Sequence, residues 1–163
     1  MYILGIDIGG TKCAAVTAEY TDGNITLIKK EKCATDLKIS PTEMIQKLFT
    51  LADSILDKKP DAIGISCGGP LDSKKGIIMS PPNLPGWDNV EIVRLFKERY
   101  GVKTVLQNDA NACALAEWQY GAGKGYENMI TSSNKILYIM TPYLILDEVV
   151  LQQLIFLFVL HLQ

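Results

Sequence analysis

The chain contains little histidine, little cysteine and no marked excess of either charge. His161 is the only histidine among 163 residues, so catalysis by a Ser-His-Asp or Cys-His arrangement would depend on one residue near the terminus. The four cysteines are Cys13, Cys33, Cys67 and Cys113. Their wide spacing, without a Cys-x-x-Cys pair, argues against a zinc site and favours free thiols in a reducing cytoplasm. The formal net charge of -2 provides no electrostatic footprint for nucleic acid or an anionic membrane, so neither is expected as a partner.

Long apolar runs are also missing. The longest uncharged apolar stretch near the C-terminus covers residues 149–160, and its 12 residues fall short of the roughly 20 that a membrane-spanning helix needs. At the N-terminus an apolar segment follows Met1 directly and is interrupted by Asp7, which does not fit a signal peptide. With 48% hydrophobic residues the chain is too apolar to be disordered, and its length suits one domain with one core. We expect a cytoplasmic protein.

The composition changes sharply near residue 131. All 13 glycines and 31 of the 34 charged residues lie before that point, whereas residues 131–163 are mostly apolar. We expect a folded domain over residues 1–130 and an atypical apolar tail over residues 131–163. The tail fits a strand at Ile136–Met140 followed by a helix that is either buried or self-associating. The self-associating alternative would make the protein a homo-oligomer. A sharper hypothesis is that the tail is foreign to the domain, through truncation or a shifted reading frame.

Periodicity along residues 1–130 predicts strands and helices in the order β-β-β-α-β-α-β-α. The predicted strands cover residues 2–8, 13–19, 25 onwards, 62–66 and 103–107, with a small hairpin around residues 73–76. The predicted helices begin at Pro41 in a capping box, near Val90 with Asp88 as cap and Gly101 as stop, and near Asp109. Three meander strands followed by β-α alternation imply an α/β fold with a mixed sheet covered by helices. By analogy, this topology matches the ribonuclease-H-like lobe of the actin-like ATPase and sugar kinase folds.

The residues after the first predicted strand have the composition of a phosphate-binding turn. Gly9 and Gly10 can take positive φ and expose successive backbone N–H groups to an anion. Thr11 adds a hydroxyl and Lys12 a cation, and Asp7 would repel phosphate unless Mg²⁺ bridged them, partly through water. The competing interpretation is an ordinary hairpin turn with exposed charges. On the phosphate-binding interpretation, Gly10→Val should weaken nucleotide binding more than sugar binding.

Asn108 and Asp109 join a predicted strand to an alanine-rich helix. The commonest role for such residues is to cap the helix. The functional alternative for Asp109 is a general base, because a carboxylate at a helix N-terminus stays ionised near neutrality. It could accept the proton of a substrate hydroxyl that attacks phosphorus. Both roles can coexist if one carboxylate oxygen stays free.

Two loops rich in glycine and proline complete the set of candidate binding segments. In the first, Asn83 supplies an amide that suits sugar hydroxyls, and Trp87 supplies an indole that either packs on a sugar ring or is buried as an anchor. In the second, Gly68 and Gly69 end a predicted strand. There they either allow close approach of the backbone to a ligand or simply form a turn.

Taken together, these motifs resemble the ROK family of sugar kinases and repressors, including its bacterial glucokinase-like members, over about residues 2–130. The matching segments follow the family's order and are DIGGTK at 7–12, GISCGGP at 64–70, NLPGW at 83–87 and NDANACALAE at 108–117. The resemblance implies ATP-dependent phosphorylation of a hexose, with Asp109 as the base. It further implies nucleotide phosphates at Asp7, Gly9, Gly10, Thr11 and Lys12, with Mg²⁺ held by Asp7 through water. It implies the hexose at Gly68, Gly69, Asn83, Asn108 and Asp109.

The chain also departs from that family pattern. ROK repressors carry a DNA-binding segment before the first strand, which here begins at residue 2, so we expect a kinase rather than a repressor. Nothing after residue 130 resembles the second kinase lobe, and catalysis is expected to be impaired because phosphoryl transfer depends on two closing lobes. For the chain as given we expect self-association through residues 144–162. One rival interpretation is a non-catalytic sugar- or nucleotide-binding remnant whose apolar tail drives dimerisation. Another is a ribonuclease-H-like nuclease, against which the lack of a basic patch argues.

Overall fold

The computed structural model describes residues 1–119, 129–133 and 136–140, with side chains described for residues 1–114. The strands are β1 (Tyr2–Ile8), β2 (Lys12–Thr21), β3 (Asn24–Ala34), β4 (Ala62–Cys67), β5 (Leu71–Asp72), β6 (Ile77–Ile78), β7 (Lys103–Asn108), β8 (Met129–Ser133) and β9 (Ile136–Met140). The helices are α1 (Pro41–Ile55), α2 (Ile92–Tyr100) and α3 (Asp109–Gln119). The order of the main elements confirms the predicted β-β-β-α-β-α-β-α, and the short β5–β6 hairpin lies at its predicted position.

Five strands form one sheet in the order β3-β2-β1-β4-β7. β1 pairs antiparallel with β2, and β2 with β3, so the first three strands form the predicted meander. The turn between β2 and β3 is made by Asp22 and Gly23, whose φ angles of 51° and 83° are those of a two-residue hairpin turn. β1 is central, and six of its seven residues are buried. A strand covered on both faces has a continuous apolar sequence, which is what residues 2–6 show.

β1, β4 and β7 run parallel to one another. Their register aligns Ile8 with Cys67, and Cys67 with Asn108. The carboxyl ends of the three strands therefore lie side by side at one edge of the sheet. The segments that leave these strands emerge next to one another at this edge, where open α/β sheets commonly bind ligands.

Helix α1 begins where the sequence predicts. Ser40 is its N-cap, and the Ser40 hydroxyl accepts a hydrogen bond from the Glu43 backbone N–H at 3.3 Å. The Glu43 carboxylate in turn accepts one from the Ser40 N–H at 2.9 Å. This is the predicted capping box, with Pro41 at the first helical position.

Helix α2 begins later than predicted. It starts at Ile92, its N-cap is Glu91, and no side chain makes a capping hydrogen bond. The prediction that Asp88 is the cap is therefore wrong. Asp88 instead accepts a hydrogen bond from the hydroxyl of Ser80. Val90 cannot join the helix because its N–H and C=O both pair with the backbone of β6.

Helices α1 and α2 bury their apolar sides in one core with the sheet. Phe49 of α1 and Phe96 of α2 meet edge to face, with ring centroids 4.8 Å apart. Such aromatic pairs contribute about 0.5–1.5 kcal/mol beyond the area that they bury. Gly101 ends α2 in the left-handed conformation with φ 64°, which confirms the predicted stop.

The described part of the tail forms a separate two-stranded sheet. β9 confirms the predicted strand at Ile136–Met140, and it pairs antiparallel with β8. β8 ends in Thr131-Ser132-Ser133 and lacks the apolar alternation that would predict a strand. The segment 144–162, through which self-association is predicted, lies outside the described residues, and so does the helix predicted after β9. No helix in the described ranges is long and apolar enough to cross a bilayer.

Gly76, after β5, provides a test of how the β5–β6 hairpin packs on α2. It has a φ of 72°, and a Cβ added there would lie 2.4 Å from the Val93 Cβ. We expect Gly76→Ala to lower the free energy of unfolding by about 2–4 kcal/mol, because it combines a left-handed alanine with overpacking. Gly23 is the control, since it also has positive φ but no atom within 4 Å of an added Cβ. Gly23→Ala should cost about 1 kcal/mol. Urea denaturation measures both, and equal losses would contradict the packing argument.

Candidate functional site

The segments predicted to bind ligands meet at the carboxyl edge of the parallel strands. The glycine turn of residues 9–10 follows β1, Gly68 and Gly69 follow β4, and Asp109 begins α3 directly after β7. Asn83 comes from the loop between β6 and α2. Parallel pairing thus collects residues that are up to about a hundred positions apart in the sequence.

The glycine turn is in direct contact with the loop that carries Asn83. A Cβ added at Gly10 would lie 2.4 Å from the Asn83 carbonyl oxygen and 2.7 Å from the Asn83 Cβ. No residue with a Cβ fits at this distance unless one of the two segments moves. The turn predicted to bind phosphate and the loop predicted to bind sugar are therefore packed directly against each other.

The turn is closed by its own hydrogen bonds. The Gly9 N–H donates to the Lys12 carbonyl at 3.2 Å, and the Gly9 carbonyl accepts from the Thr35 hydroxyl at 2.6 Å. The described glycines with positive φ lie elsewhere, so the expectation of positive φ at Gly9 and Gly10 is wrong. Gly9 is needed because an added Cβ would lie 2.7 Å from the Lys12 carbonyl oxygen. Thr11 and Lys12 are exposed beside the turn.

The residues predicted to face a sugar lie around Gly68 and Gly69. A Cβ added at Gly68 would be 3.6 Å from both Nδ2 and Oδ1 of Asn83 and 3.8 Å from Oδ2 of Asp109. A Cβ added at Gly69 would be 3.0 Å from Nδ2 of Asn108. Two amides and one carboxylate therefore surround a strip of bare backbone, an arrangement that can donate to and accept from several hydroxyl groups.

Asp109 is the first residue of α3 and is exposed. Its Oδ1 accepts a hydrogen bond from the Ala110 N–H at 2.7 Å, and Oδ1 of Asn108 accepts from the same N–H at 3.0 Å. Capping is therefore shared by the two side chains. The second oxygen of Asp109, Oδ2, is on the side of Gly68. Among the side chains that the structure describes, none donates a hydrogen bond to Oδ2, so this oxygen of the capping carboxylate can accept a proton.

Asp7 lies near the end of β1 and is largely buried. Its Oδ1 accepts a hydrogen bond from the Ser66 hydroxyl at 3.0 Å. Burial raises the pKa of Asp7 to about 6, against the lowering effect of the Ser66 hydrogen bond. The negative charge of Asp109 raises this pKa further, whereas the positive charges of Lys12 and Lys32 lower it. Because Asp109 acts on the titration of Asp7, the two carboxylates belong to one electrostatic site.

The surroundings of Asp7 fit a hard divalent cation. Mg²⁺ is usually held by one or two carboxylates together with phosphate oxygens and water. Asp7 offers such a carboxylate, and a cation would relieve both its burial and the repulsion from Asp109. Within the residues that the structure describes, no cluster of three or more His, Cys, Asp or Glu side chains is present.

Trp87 anchors the loop that presents Asn83. The indole is 3% exposed and packs in the main core together with Leu84. The interpretation of Trp87 as a buried anchor is confirmed, so its ring is not a surface for a sugar. A backbone hydrogen bond of 2.9 Å from Ser80 to Trp87 closes the loop. Asn83 remains exposed between these fixed points.

Cys13 lies directly behind the glycine turn. Its Sγ is 3.2 Å from the Thr35 hydroxyl and 3.8 Å from the Gly9 carbonyl oxygen. Burial raises the pKa of Cys13 to about 11, and burial also raises the pKa of Cys67 at the end of β4. All four cysteines are free thiols, as predicted.

Three residues that the sequence does not single out take part in this arrangement. Ser66 binds Asp7, Thr35 binds Gly9, and the side chain of Gln107 accepts a hydrogen bond from the backbone of the next residue at 2.8 Å. Only Ser66 has a local sequence signal that could have identified it, since it is a polar residue inside an otherwise apolar strand. Thr35 approaches Gly9 only because β2 pairs with β3, so no local pattern marks it.

The mixed sheet, with its three meander strands and the glycine turns at its carboxyl edge, has the fold of the actin-like ATPase and sugar kinase class, as its similarity to solved sugar kinases shows. The ROK family pattern matches residues 3–133. The chain belongs to the ROK family, which confirms the resemblance found in the sequence.

Several known proteins are similar to this chain. A glucokinase from Thermotoga maritima is 33% identical over 132 residues, which are 78% of this chain and 40% of that protein. A ROK hexokinase from Thermus thermophilus superposes with a TM-score of 0.67 at 35% identity, covering 80% of this chain and 42% of that one. A ROK family glucokinase from Streptomyces griseus, in complex with glucose and AMPPNP, superposes with a TM-score of 0.66 at 29% identity, covering 80% and 40%. Relatives at lower identity include xylose repressors.

These comparisons confirm the ribonuclease-H-like fold class of the described domain. The chain spans about 40% of the length of the glucokinases that it matches.

The contact between Gly10 and Asn83 changes what is expected of Gly10→Val. The valine side chain would displace the Asn83 loop as well as the turn, so both nucleotide and hexose affinity should fall at least tenfold. Calorimetry with each ligand measures the two affinities, and circular dichroism checks the fold. Gly86→Ala is the control for strain in the same loop, because Gly86 has a positive φ of 82° but no atom within 4 Å of an added Cβ, so the variant strains the loop without a clash at Asn83. A loss of nucleotide affinity without a loss of hexose affinity would contradict the importance of the contact between Gly10 and Asn83.

Asp7→Asn tests the electrostatics in metal-free buffer. A pKa raised to about 6 means that the folded chain binds this proton more tightly than the unfolded chain does. The stability that protonated Asp7 contributes is therefore complete below about pH 4 and is lost as the pH rises through 6. Asp7→Asn should be more stable than the wild type by about 2 kcal/mol at pH 7, with little difference at pH 4. Urea denaturation at both pH values measures this, and a pH-independent difference would refute it.

Proposed function

We propose that this chain contributes the hexose-binding and general-base side of an ATP-dependent hexose kinase of the glucokinase type. The observation that carries the proposal is the convergence of Asn83, Asn108 and Asp109 on Gly68 and Gly69, with Oδ2 of Asp109 3.8 Å from the position of a Gly68 Cβ. The relatives support it, since glucokinases and a hexokinase are among them and one is in complex with glucose and AMPPNP.

The hexose would lie against the bare backbone of Gly68 and Gly69. The amides of Asn83 and Asn108 can each donate to one sugar hydroxyl and accept from another. Because Leu84 and Trp87 fix the loop in the core, the backbone that carries Asn83 is held in place before the sugar arrives. Preorganised donors reduce the entropy that binding costs.

Asp109 would act as the general base. Its Oδ1 is held by the Ala110 N–H, so the carboxylate has a fixed orientation and Oδ2 is left for the substrate hydroxyl. As that hydroxyl oxygen attacks the γ-phosphorus, its proton passes to Oδ2. The bond between the γ-phosphorus and the bridging oxygen breaks, and ADP leaves. The N-terminus of α3 stabilises the charge of the carboxylate before the transfer.

The nucleotide phosphates would lie at the glycine turn. Gly10 allows close approach, Thr11 contributes a hydroxyl, and Lys12 contributes a positive charge. Gly9 shapes the turn but uses its N–H within it. Asp7 would hold Mg²⁺ through water, and the metal would neutralise charge that develops on the phosphate oxygens.

We further propose that residues 1–130 are one lobe of the kinase and that residues 131–163 are an atypical tail. The described groups line one edge of a single sheet. Phosphoryl transfer also needs the opposite side closed against water, so the chain by itself should bind hexose but turn over slowly. Self-association through residues 144–162 stays a prediction, because these residues lie outside the described ones. A cytoplasmic location stays a proposal.

Asp109→Asn tests the catalytic role. In a form of the protein that includes a complete second lobe, the variant should keep hexose affinity within about threefold, because asparagine preserves the cap. Turnover should fall by roughly 10²–10⁴, the range typical for the loss of a general base.

A coupled ADP-release assay with a panel of hexoses measures turnover, and calorimetry measures affinity. Asp22→Asn, at the distant β2–β3 turn, is the matched control and should behave as the wild type. Full turnover by Asp109→Asn would reduce Asp109 to a helix cap. Failure of the wild-type form to use any hexose would refute the proposed function.

A further inference from the structure

Two polar side chains lie side by side in the buried part of the sheet, directly behind the two carboxylates. The strand register places Ser66 of β4 between Asp7 of β1 and Gln107 of β7. Ser66 is fully buried, and Gln107 is only 8% exposed. Buried polar groups are costly unless they form hydrogen bonds, so their partners indicate why they are there.

Ser66 directs its hydroxyl at the carboxylate of Asp7. The hydrogen bond to Oδ1 is 3.0 Å long, and a serine hydroxyl has only one proton to donate. The bond therefore fixes the rotation of the carboxylate about its own axis. No described side chain or backbone group donates to Oδ2 of Asp7, so with Oδ1 facing Ser66 the second oxygen can face a ligand.

Gln107 holds the junction from which Asn108 and Asp109 project. Its Oε1 accepts hydrogen bonds from the Asn108 N–H at 2.8 Å and from Nδ2 of Asn111 at 3.3 Å. One acceptor thus ties the last residue of β7 to the first turn of α3. The direction in which the Asn108 and Asp109 side chains leave this junction depends on that tie.

We propose that Ser66 and Gln107 are positioning residues that act on different ligands. Ser66 orients Asp7 toward a magnesium-bound phosphate, and Gln107 orients Asn108 and Asp109 toward the hexose. The proposal rests on the proposed hexose kinase function. The two positioning roles can be tested separately, because the two side chains share no hydrogen-bond partner in the part of the chain that the structure describes.

Calorimetry on the full chain distinguishes the two roles with three titrations: ATP with Mg²⁺, ATP in EDTA, and glucose. Ser66→Ala should weaken binding of ATP with Mg²⁺ about tenfold or more, as expected for loss of a hydrogen bond to a charged group. Binding of ATP in EDTA and of glucose should stay within about twofold. Ser66→Thr, which keeps the hydroxyl, should restore binding of ATP with Mg²⁺.

Gln107→Leu should show the opposite pattern. Glucose affinity should fall roughly tenfold, because two neutral hydrogen bonds at the junction are lost. The ratio of ATP affinity with Mg²⁺ to that in EDTA should not change. Ser54→Ala and Gln46→Leu, both exposed on α1, are the matched controls. If either site variant weakens all ligands in the same proportion, or none, its role is structural and the proposal is overturned.

NMR separates this proposal from the proposed function. If the wild-type chain binds neither glucose nor ATP, the proposed function fails, but positioning can still be measured without ligand. Ser66→Ala should shift the carboxyl carbon resonance of Asp7, and Gln107→Leu should speed hydrogen exchange of the Asn108 amide at least tenfold. Each variant should leave the other probe unchanged. Unchanged probes in both variants would overturn the proposal.

Discussion

The candidate site depends on the parallel pairing of β1, β4 and β7. Each strand contributes only one or two of the groups at the site, and the pairing register decides which of them become neighbours. Side chains alternate between the two faces of a strand, so a slip of β4 by one residue would carry Ser66 to the other face. Cys67 would then lie beside Asp7 in place of a hydroxyl donor. The apolar core on α1 and α2 holds this register, which links the packing of Phe49 and Phe96 to the geometry at the sheet edge.

The same pairing creates an electrostatic cost. Asp7 is buried within the field of Asp109, and both effects oppose its ionisation. Ser66, Lys12 and Lys32 offset part of this cost. A carboxylate with a raised pKa is more common at functional sites than elsewhere, and a bound cation would offset both effects. The two carboxylates differ in exposure: Asp7 is half-buried next to the turn, whereas Asp109 is exposed.

Structural features that depend on residues adjacent in the sequence, such as helix ends, can be predicted from the sequence, whereas those that depend on residues distant in the sequence cannot. Ser40 and Gly101 mark helix ends because capping is local, and both predictions are confirmed. Asp88 carries the same local signal as a cap, yet pairing of the β6 backbone with the following segment delays α2. Gly9 and Gly10 are correctly placed after β1, but the reason for glycine there is close approach of other atoms, which local pattern cannot show.

The candidate site follows the same rule. Its predicted binding residues lie in recognisable motifs, a loop for Asn83 and a strand-to-helix junction for Asn108 and Asp109, and the structure brings the three together. Their supporting residues lie inside strands and act across the sheet, so Ser66 and Gln107 become visible only once the register is known. Strand β8 is not predicted because its own sequence lacks strand periodicity, and it is recognised as a strand only by its antiparallel pairing with β9.

The thiol behind the glycine turn has a consequence for how this protein responds to oxidants. Reaction with peroxides and electrophiles proceeds through the thiolate, and a pKa near 11 keeps Cys13 almost wholly protonated at neutral pH. Its proton is shared with neighbouring oxygens of the turn instead. Cys13 is buried and packs as a small apolar group with a weak donor, and its raised pKa lowers its reactivity toward oxidants. The Sγ of Cys13 lies within 4 Å of the Gly9 carbonyl oxygen, yet we expect this thiol to react only slowly with oxidants.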